Sequence, residues 1–342
     1  MERPLTFLQP VETLLHLTDQ DQYLDQSPAI VSIPPCNLDE ACWLAHYTIR
    51  QNTYAGTHIL HHLLTNPPGK GFHLVPLILY RHALDLGDSI GTLLRFGSAN
   101  NAVVTVRALF EASIALAFVL EGNTFHEDRA ACYEAFRSIK KLKNLTELHT
   151  LLDQDPTLRH TVSPRQDLSE ERKREEERLE GKRFNPYWTR YKKANPKPTN
   201  WYGLCSAAMN LRQLAGNVGW EAEYVFLYNM ISEGAHATDD VMANLTVPSE
   251  GLDLSIHQLR GPVEKIKELV GLSANFLIRS HNHLLLTYLN NHDVHQRFTR
   301  WYEEEYRYFF MWATCPDPLI SDSLTSLHPS CEHLLSDPVV PR

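Results

Sequence analysis

Tyr224, Tyr228, Ser232, His236 and Asp240 recur at every fourth position of the stretch YVFLYNMISEGAHATDD, residues 224–240. On a helix a four-residue step turns by about 400°, so this polar row slants across one side, drifting by about 40° per step. Hydroxyls donate and accept, and imidazole titrates near neutrality, so the row could position a substrate and move a proton. Arg107 and Glu111 repeat the spacing inside AVVTVRALFEASIALAFVL, residues 102–120, which puts them one turn apart on one helix face. Val103, Val104, Val106, Leu109, Phe110 and Ile114 surround them and make that helix read as buried. A buried guanidinium and carboxylate must be paired and hydrogen-bonded, because each is costly to desolvate alone. Two readings are open: a structural ion pair with a satisfied core histidine, or a clamp for an anionic substrate beside a proton-transfer group. The guanidinium fork suits phosphate or carboxylate.

Other constellations are thinner. His58 and His62 have the spacing of two metal ligands on one helix, with His61 beside them. No HExxH pattern and no third ligand accompany them, so no metal is expected. RSHNH, residues 279–283, gathers Arg279, His281 and His283. Ribonucleases of the HEPN type place four to six mostly polar residues between Arg and His, where this chain places three. There is no P-loop, GxGxxG, GxSxG or zinc pattern, so the sequence names no cofactor and supports neither nucleotide hydrolysis of the P-loop kind nor α/β-hydrolase chemistry.

Composition narrows the classes further. With 43% hydrophobic and 21% charged residues the chain is that of a soluble globular protein. A net charge of −9 argues against broad binding to nucleic-acid phosphates and leaves room for a local basic cleft. Six cysteines without a CxxC pair, and an N-terminus without a secretion signal, point to reduced thiols and a cytoplasmic protein. The run 102–120 is nearly long enough to span a bilayer, but Arg107 and Glu111 in its middle favour a buried helix and no membrane.

The elements that must position these residues read as helices throughout. Residues 1–72 hold an irregular segment and one helix to about 66; helices are expected near 74–96, 99–121 and 126–152. Gly97 suits a left-handed helix end and Ser98 the next cap, so 74–96 and 99–121 should fold back as a hairpin. An insertion at 160–201 begins as an exposed charged helix or a mobile arm. Its aromatic and basic half, FNPYWTRYKKANPKP, reads as a proline-rich surface loop, with a lid or a nucleic-acid contact as the alternative. Helices resume at 204–216, 219–243, 263–290 and 293–313, and a Pro/Ser-rich tail covers 314–342. The fold class is therefore all-α: an antiparallel helical bundle over 73–313 with irregular N- and C-terminal extensions.

LLRFGSANNAVVTVRALFEASIALAFVL resembles a signature of the DUF5677 family, bacterial helical proteins of unknown function. In that family a helix carrying R-x-x-x-E is followed far downstream by a tyrosine-rich helix ending S-x-x-x-H. Arg107, Glu111, Ser232 and His236 match those positions, and NWYG with EYVFLYNMISEGAH matches the downstream half. The resemblance spans roughly 75–245 and implies that the two polar helices share one pocket. It supplies no reaction.

The expectation is a hydrolase acting on RNA or a nucleotide, by analogy with toxins and phage-defence effectors. Arg107, Glu111, Ser232 and His236 would form its catalytic group, and Tyr224, Tyr228 and Asp240 would bind substrate. The alternative is a non-catalytic interaction protein with a structural polar core, forming a homodimer through the aromatic helix 300–312.

Overall fold

The computed structural model describes residues 38–69, 72–121, 126–155, 157, 167–206, 208–225, 245–246, 255–256, 260–290 and 292–306. In chain order the helices are α1 (Leu38–Thr65), α2 (Leu74–Arg95), α3 (Ala99–Leu120), α4 (His126–Gln154), α5 (Leu168–Glu180), α6 (Asn185–Lys193), α7 (Tyr202–Cys205), α8 (Leu211–Asn217), α9 (Glu221–Glu223), α10 (Val263–Tyr288) and α11 (Asp293–Trp301), followed by a π-helical turn at Tyr302–Tyr306. One antiparallel ladder two residues long, Leu245–Thr246 against Ser255–Ile256, is the only strand pairing among the described residues. The protein is an all-α bundle.

Four long helices make its centre. α1 packs on α2, α2 on α3, and α10 returns to pack against both α1 and α3, which leaves α1 and α3 on opposite sides of the α2–α10 pair. The expected hairpin between α2 and α3 is present. Gly97 takes a positive φ of 70°, and the amides of Gly97 and Ser98 return to the carbonyls of Leu94 and Leu93 at 3.0 and 2.9 Å. A side chain at Gly97 would be strained in that conformation. Ser98 holds the cap position, but its hydroxyl accepts from Asn101 (2.9 Å) instead of capping the backbone.

α3 is apolar and long enough to cross a membrane, yet the bundle itself accounts for this character. Fifteen of its 22 residues are buried, including every one from Ala112 to Leu120. Phe118 meets Trp201, and the Arg129 guanidinium covers the Phe118 ring at 4.1 Å.

A closed polar network crosses the middle of this core. His281 Nε2 lies 2.6 Å from Asn52 Oδ1, and its Nδ1 lies 2.7 Å from Tyr80 Oη. Asn52 Nδ2 donates to the Ala274 carbonyl (3.2 Å) and to Tyr306 Oη (3.1 Å), which fixes the amide orientation. Asn52 Oδ1 is then an acceptor, so Nε2 carries the imidazole proton and Tyr80 donates to Nδ1. Tyr80, Asn52 and His281 are fully buried and Tyr306 nearly so. Burial pushes the His281 pKa down to about 3, so the ring stays neutral, and raises both phenols. Gly56 makes room for it: a Cβ there would stand 2.4 Å from Leu84, 2.7 Å from His281 and 2.9 Å from Tyr80.

The described part of the insertion, residues 167–201, holds two helices packed on α4. α5 is capped by Asp167, whose carboxylate accepts from the Glu170 amide at 3.0 Å. The aromatic half, expected as a loop, forms α6, with Pro186 in its first turn where a missing N–H costs nothing. Leu179, Phe184 and Tyr187 then pack on Cys132, Ala135 and Phe136 of α4 as a second, smaller cluster. Arg178 and Arg183 both reach Glu134, at 3.2 and 2.8 Å, and Tyr187 donates to the Asp128 carboxylate.

Two other spans differ from expectation. The helix expected at 204–216 is broken into α7 and α8. Ser206 Oγ bonds the Tyr202 carbonyl and the Ala208 amide, and the Asn210 side chain caps α8 by accepting from Gln213 N. Local side-chain bonds of this kind compete with helix continuation. The helix expected at 293–313 changes to π-helical pitch after Trp301.

Candidate functional site

Along the first half of α3, Asn101 and Val104 are exposed and Ala108 and Glu111 partly so. These positions trace the outward stripe of a helix otherwise packed on its neighbours. Glu111 belongs to that stripe and Arg107 lies beside it. Arg107 Nε donates to Glu111 Oε1 at 3.2 Å, and the side chains keep 26% and 45% of their surface in contact with solvent. This corrects the expectation of a buried Arg/Glu pair: apolar neighbours in sequence bury the other faces of the helix and leave this one open. An ion pair of this spacing and exposure contributes only about 0.3–0.5 kcal/mol. Its two heads remain accessible to a ligand.

The downstream half begins against the same helix. Trp220, 1% exposed, packs its ring on Phe110, the residue just before Glu111, with centroids 6.2 Å apart. Glu223 and Tyr224 follow on the next turn, and Tyr224 is partly buried against the main core. Of the row predicted from the sequence, only Tyr224 belongs to the described residues. Tyr228, Ser232, His236 and Asp240 lie outside them.

Trp220 is the residue that reading by motif passes over, although it stands four positions before Tyr224 and extends the same row upstream. Its indole carries the Arg279 guanidinium on its face at 3.7 Å, stacks on Phe276 and faces the His283 ring at 6.3 Å. Arg279 also pairs with Glu223. The RSHNH segment therefore divides. His281 points into the closed network, while Arg279 and His283 both meet Trp220. Burial, with the Arg279 charge second, pulls His283 down to about 4, so it is a neutral imidazole at pH 7.

His58 and His62 fall elsewhere, in an open groove of about 640 Å³ between α1 and α11. Among the described residues no group of three or more His, Cys, Asp or Glu side chains is placed to hold a metal.

A family model described as "Family of unknown function (DUF5677)" matches residues 73–251. That is just over half of the chain. The protein belongs to the DUF5677 family. The match takes in α2 to α9, with Arg107, Glu111 and the whole row from Trp220 to Asp240. It leaves out α1, α10 and α11, so the Arg279 and His283 that meet Trp220 come from outside the DUF5677 region. No curated protein and no solved structure matches the chain.

Proposed function

We propose that this DUF5677 protein is a hydrolytic, phosphodiester-cleaving enzyme acting on RNA or a nucleotide. Arg107 would bind the phosphate and stabilise the negative charge that develops on it, because a guanidinium gives two parallel donors to two oxygens. His236 would act as general acid or base, with Glu111 orienting it. Ser232, Tyr224, Tyr228 and Asp240 would hold the substrate.

One observation carries this reading. Arg107 and Glu111 reach solvent from the middle of an otherwise apolar helix, at the place where Trp220 docks the start of the tyrosine-rich segment. A weak, half-exposed pair at such a position does little for stability.

The test is paired expression in bacteria of wild type and His236→Ala, with soluble yield, growth and total RNA integrity followed. Loss of an acid or base lowers turnover by about two to four orders of magnitude, so RNA fragments should accumulate with wild type alone. Intact RNA with both proteins at equal yield would sink the RNA-cleavage reading. The second reading, a non-catalytic interaction protein, draws on the closed Asn52–His281–Tyr80–Tyr306 network, which fixes helix register without any exposed reactive group. It predicts that His236→Ala changes melting temperature and no catalytic readout, and that the chain forms a homodimer through 300–312.

A further inference from the structure

The groove between α1 and α11 lies on the α1 side of the bundle, across the α2–α10 pair from α3, and the reading above makes no use of it. Its floor is apolar, formed by Ile59, Val294 and Phe298. Tyr54 stands on one wall, 43% exposed, with its ring edge-on to His58 at 4.4 Å. Trp301 also lines the groove, one face of its ring stacked on Tyr306 with centroids 4.8 Å apart. The polar lining is of one kind: Arg297, the imidazoles of His58, His61 and His62, and small amide and hydroxyl groups, with no Asp or Glu. Asp293 stands one turn before Arg297 on α11, 3.1 Å from its guanidinium and outside the lining. It orients the fork and leaves further donors free to face a ligand.

A volume of about 640 Å³ falls within the range of small-molecule sites. Aromatic walls favour a flat ring, which gains by stacking. A guanidinium beside three imidazoles with no carboxylate among them favours an anion. We propose that this groove binds a nucleoside monophosphate unit, its base between Tyr54 and Trp301 and its phosphate on Arg297 and His58. The unit could be a free nucleotide or one residue of a nucleic-acid strand, and both present the same ring and phosphate.

The experiment is calorimetric titration of the full chain with adenosine 5′-monophosphate, adenosine, inorganic phosphate and a short oligoadenylate. Wild type is compared with Arg297→Gln and His58→Gln, both surface changes whose melting temperatures are checked. The monophosphate should bind more tightly than adenosine or phosphate alone, and each substitution should weaken it about tenfold or more, the usual effect of losing a charge-assisted hydrogen bond. Affinity should also rise as pH is lowered through the histidine range. Burial holds the His58 and His62 imidazoles below their ordinary value, so they are neutral at pH 7 and their protonation as pH falls adds positive charge beside Arg297; His61, His292 and Asp293 are the other ionisable groups facing them.

If oligoadenylate binds more tightly than the monophosphate and loses affinity in the same variants, the nucleotide is supplied by a strand; equal or weaker binding assigns the groove to free nucleotide. No saturable binding of the monophosphate, equal affinity for adenosine, or unchanged affinity in both variants overturns the proposal.

Discussion

Gly56→Ala sets two physical effects against each other at one atom. Gly56 sits inside α1, where alanine is favoured over glycine by about 1 kcal/mol. Helix propensity alone therefore predicts a more stable protein. Packing predicts the reverse. The new Cβ would meet Leu84 of α2 at 2.4 Å, the His281 ring of α10 at 2.7 Å and Tyr80 Oη at 2.9 Å, all well inside the 3.5–4.0 Å of normal contact. None of the three can swing aside, because Tyr80 and His281 are fully buried and bonded to each other at 2.7 Å, and Leu84 is 2% exposed. Relief requires that α1 move off both α2 and α10, at about 1–3 kcal/mol for overpacking. Any loss of the Tyr80–His281 bond adds about 1–3 kcal/mol for buried groups left unsatisfied.

With that bond lost and the propensity gain subtracted, the net effect is a destabilisation of about 1–5 kcal/mol. That corresponds to a fall in melting temperature of roughly 2–20 °C for a domain of this size. Thermal and urea unfolding followed by circular dichroism would measure it, with Gly69→Ala as the control, since nothing lies within 4 Å of a Cβ there. A Gly56→Ala protein that melts at or above wild type would refute the packing argument and the four-way contact on which it rests.

Two other expectations follow from the buried histidines and from Trp220. The folded-state pKa values of His281 (about 3) and His283 (about 4) lie below the unfolded value near 6.5. The unfolded chain therefore binds more protons across that window. Their contribution to stability is fully present above about pH 6.5 and is lost as pH falls towards 4, at up to about 1.4 kcal/mol per pH unit for each ring. Denaturant midpoints across this range should show the slope, and His281→Gln should flatten it; an unchanged slope would mean His281 does not stay neutral. Trp220→Ala removes the ring on which Phe110, Phe276 and Arg279 converge. A loss of about 3–5 kcal/mol is expected, and equilibrium unfolding that shifts by less than about 1 kcal/mol would show that the segment docks on α3 by other means.

How far the sequence discloses this molecule depends on the element. FGSANN marks the α2–α3 turn because only a left-handed residue ends a helix that sharply, and Gly97 is that residue. The insertion is harder to read. α5 buries only Leu168, Glu175 and Leu179, too few apolar positions to show a stripe, and its partner face on α4 is remote in sequence. In α6 a proline that looks like a breaker sits where a helix starts.

Site residues divide in the same way. Spacing puts Arg107 and Glu111 on one face correctly, but cannot say whether that face is covered, because cover comes from other helices. The closed network is invisible for a similar reason: Asn52, Tyr80 and His281 come from three separate helices. Gly56, one turn after Asn52, is its only local trace.

α4 has consequences of its own. One side of it, through Ala130, joins the main core, and the other side, through Cys132, Ala135 and Phe136, serves only the smaller cluster, with Trp201 and Cys205 touching both. α5 and α6 are thus latched to the bundle without being threaded through it. What holds them is the smaller cluster, the Leu145–Leu152–Leu168 contact and the ion pairs of Glu134 and Lys141, whereas the buried half of α3, Ala112–Leu120, is exposed only when the bundle opens. Apolar contacts of such unequal size predict a hierarchy of opening events, with α5 and α6 released at a lower free energy than the four central helices.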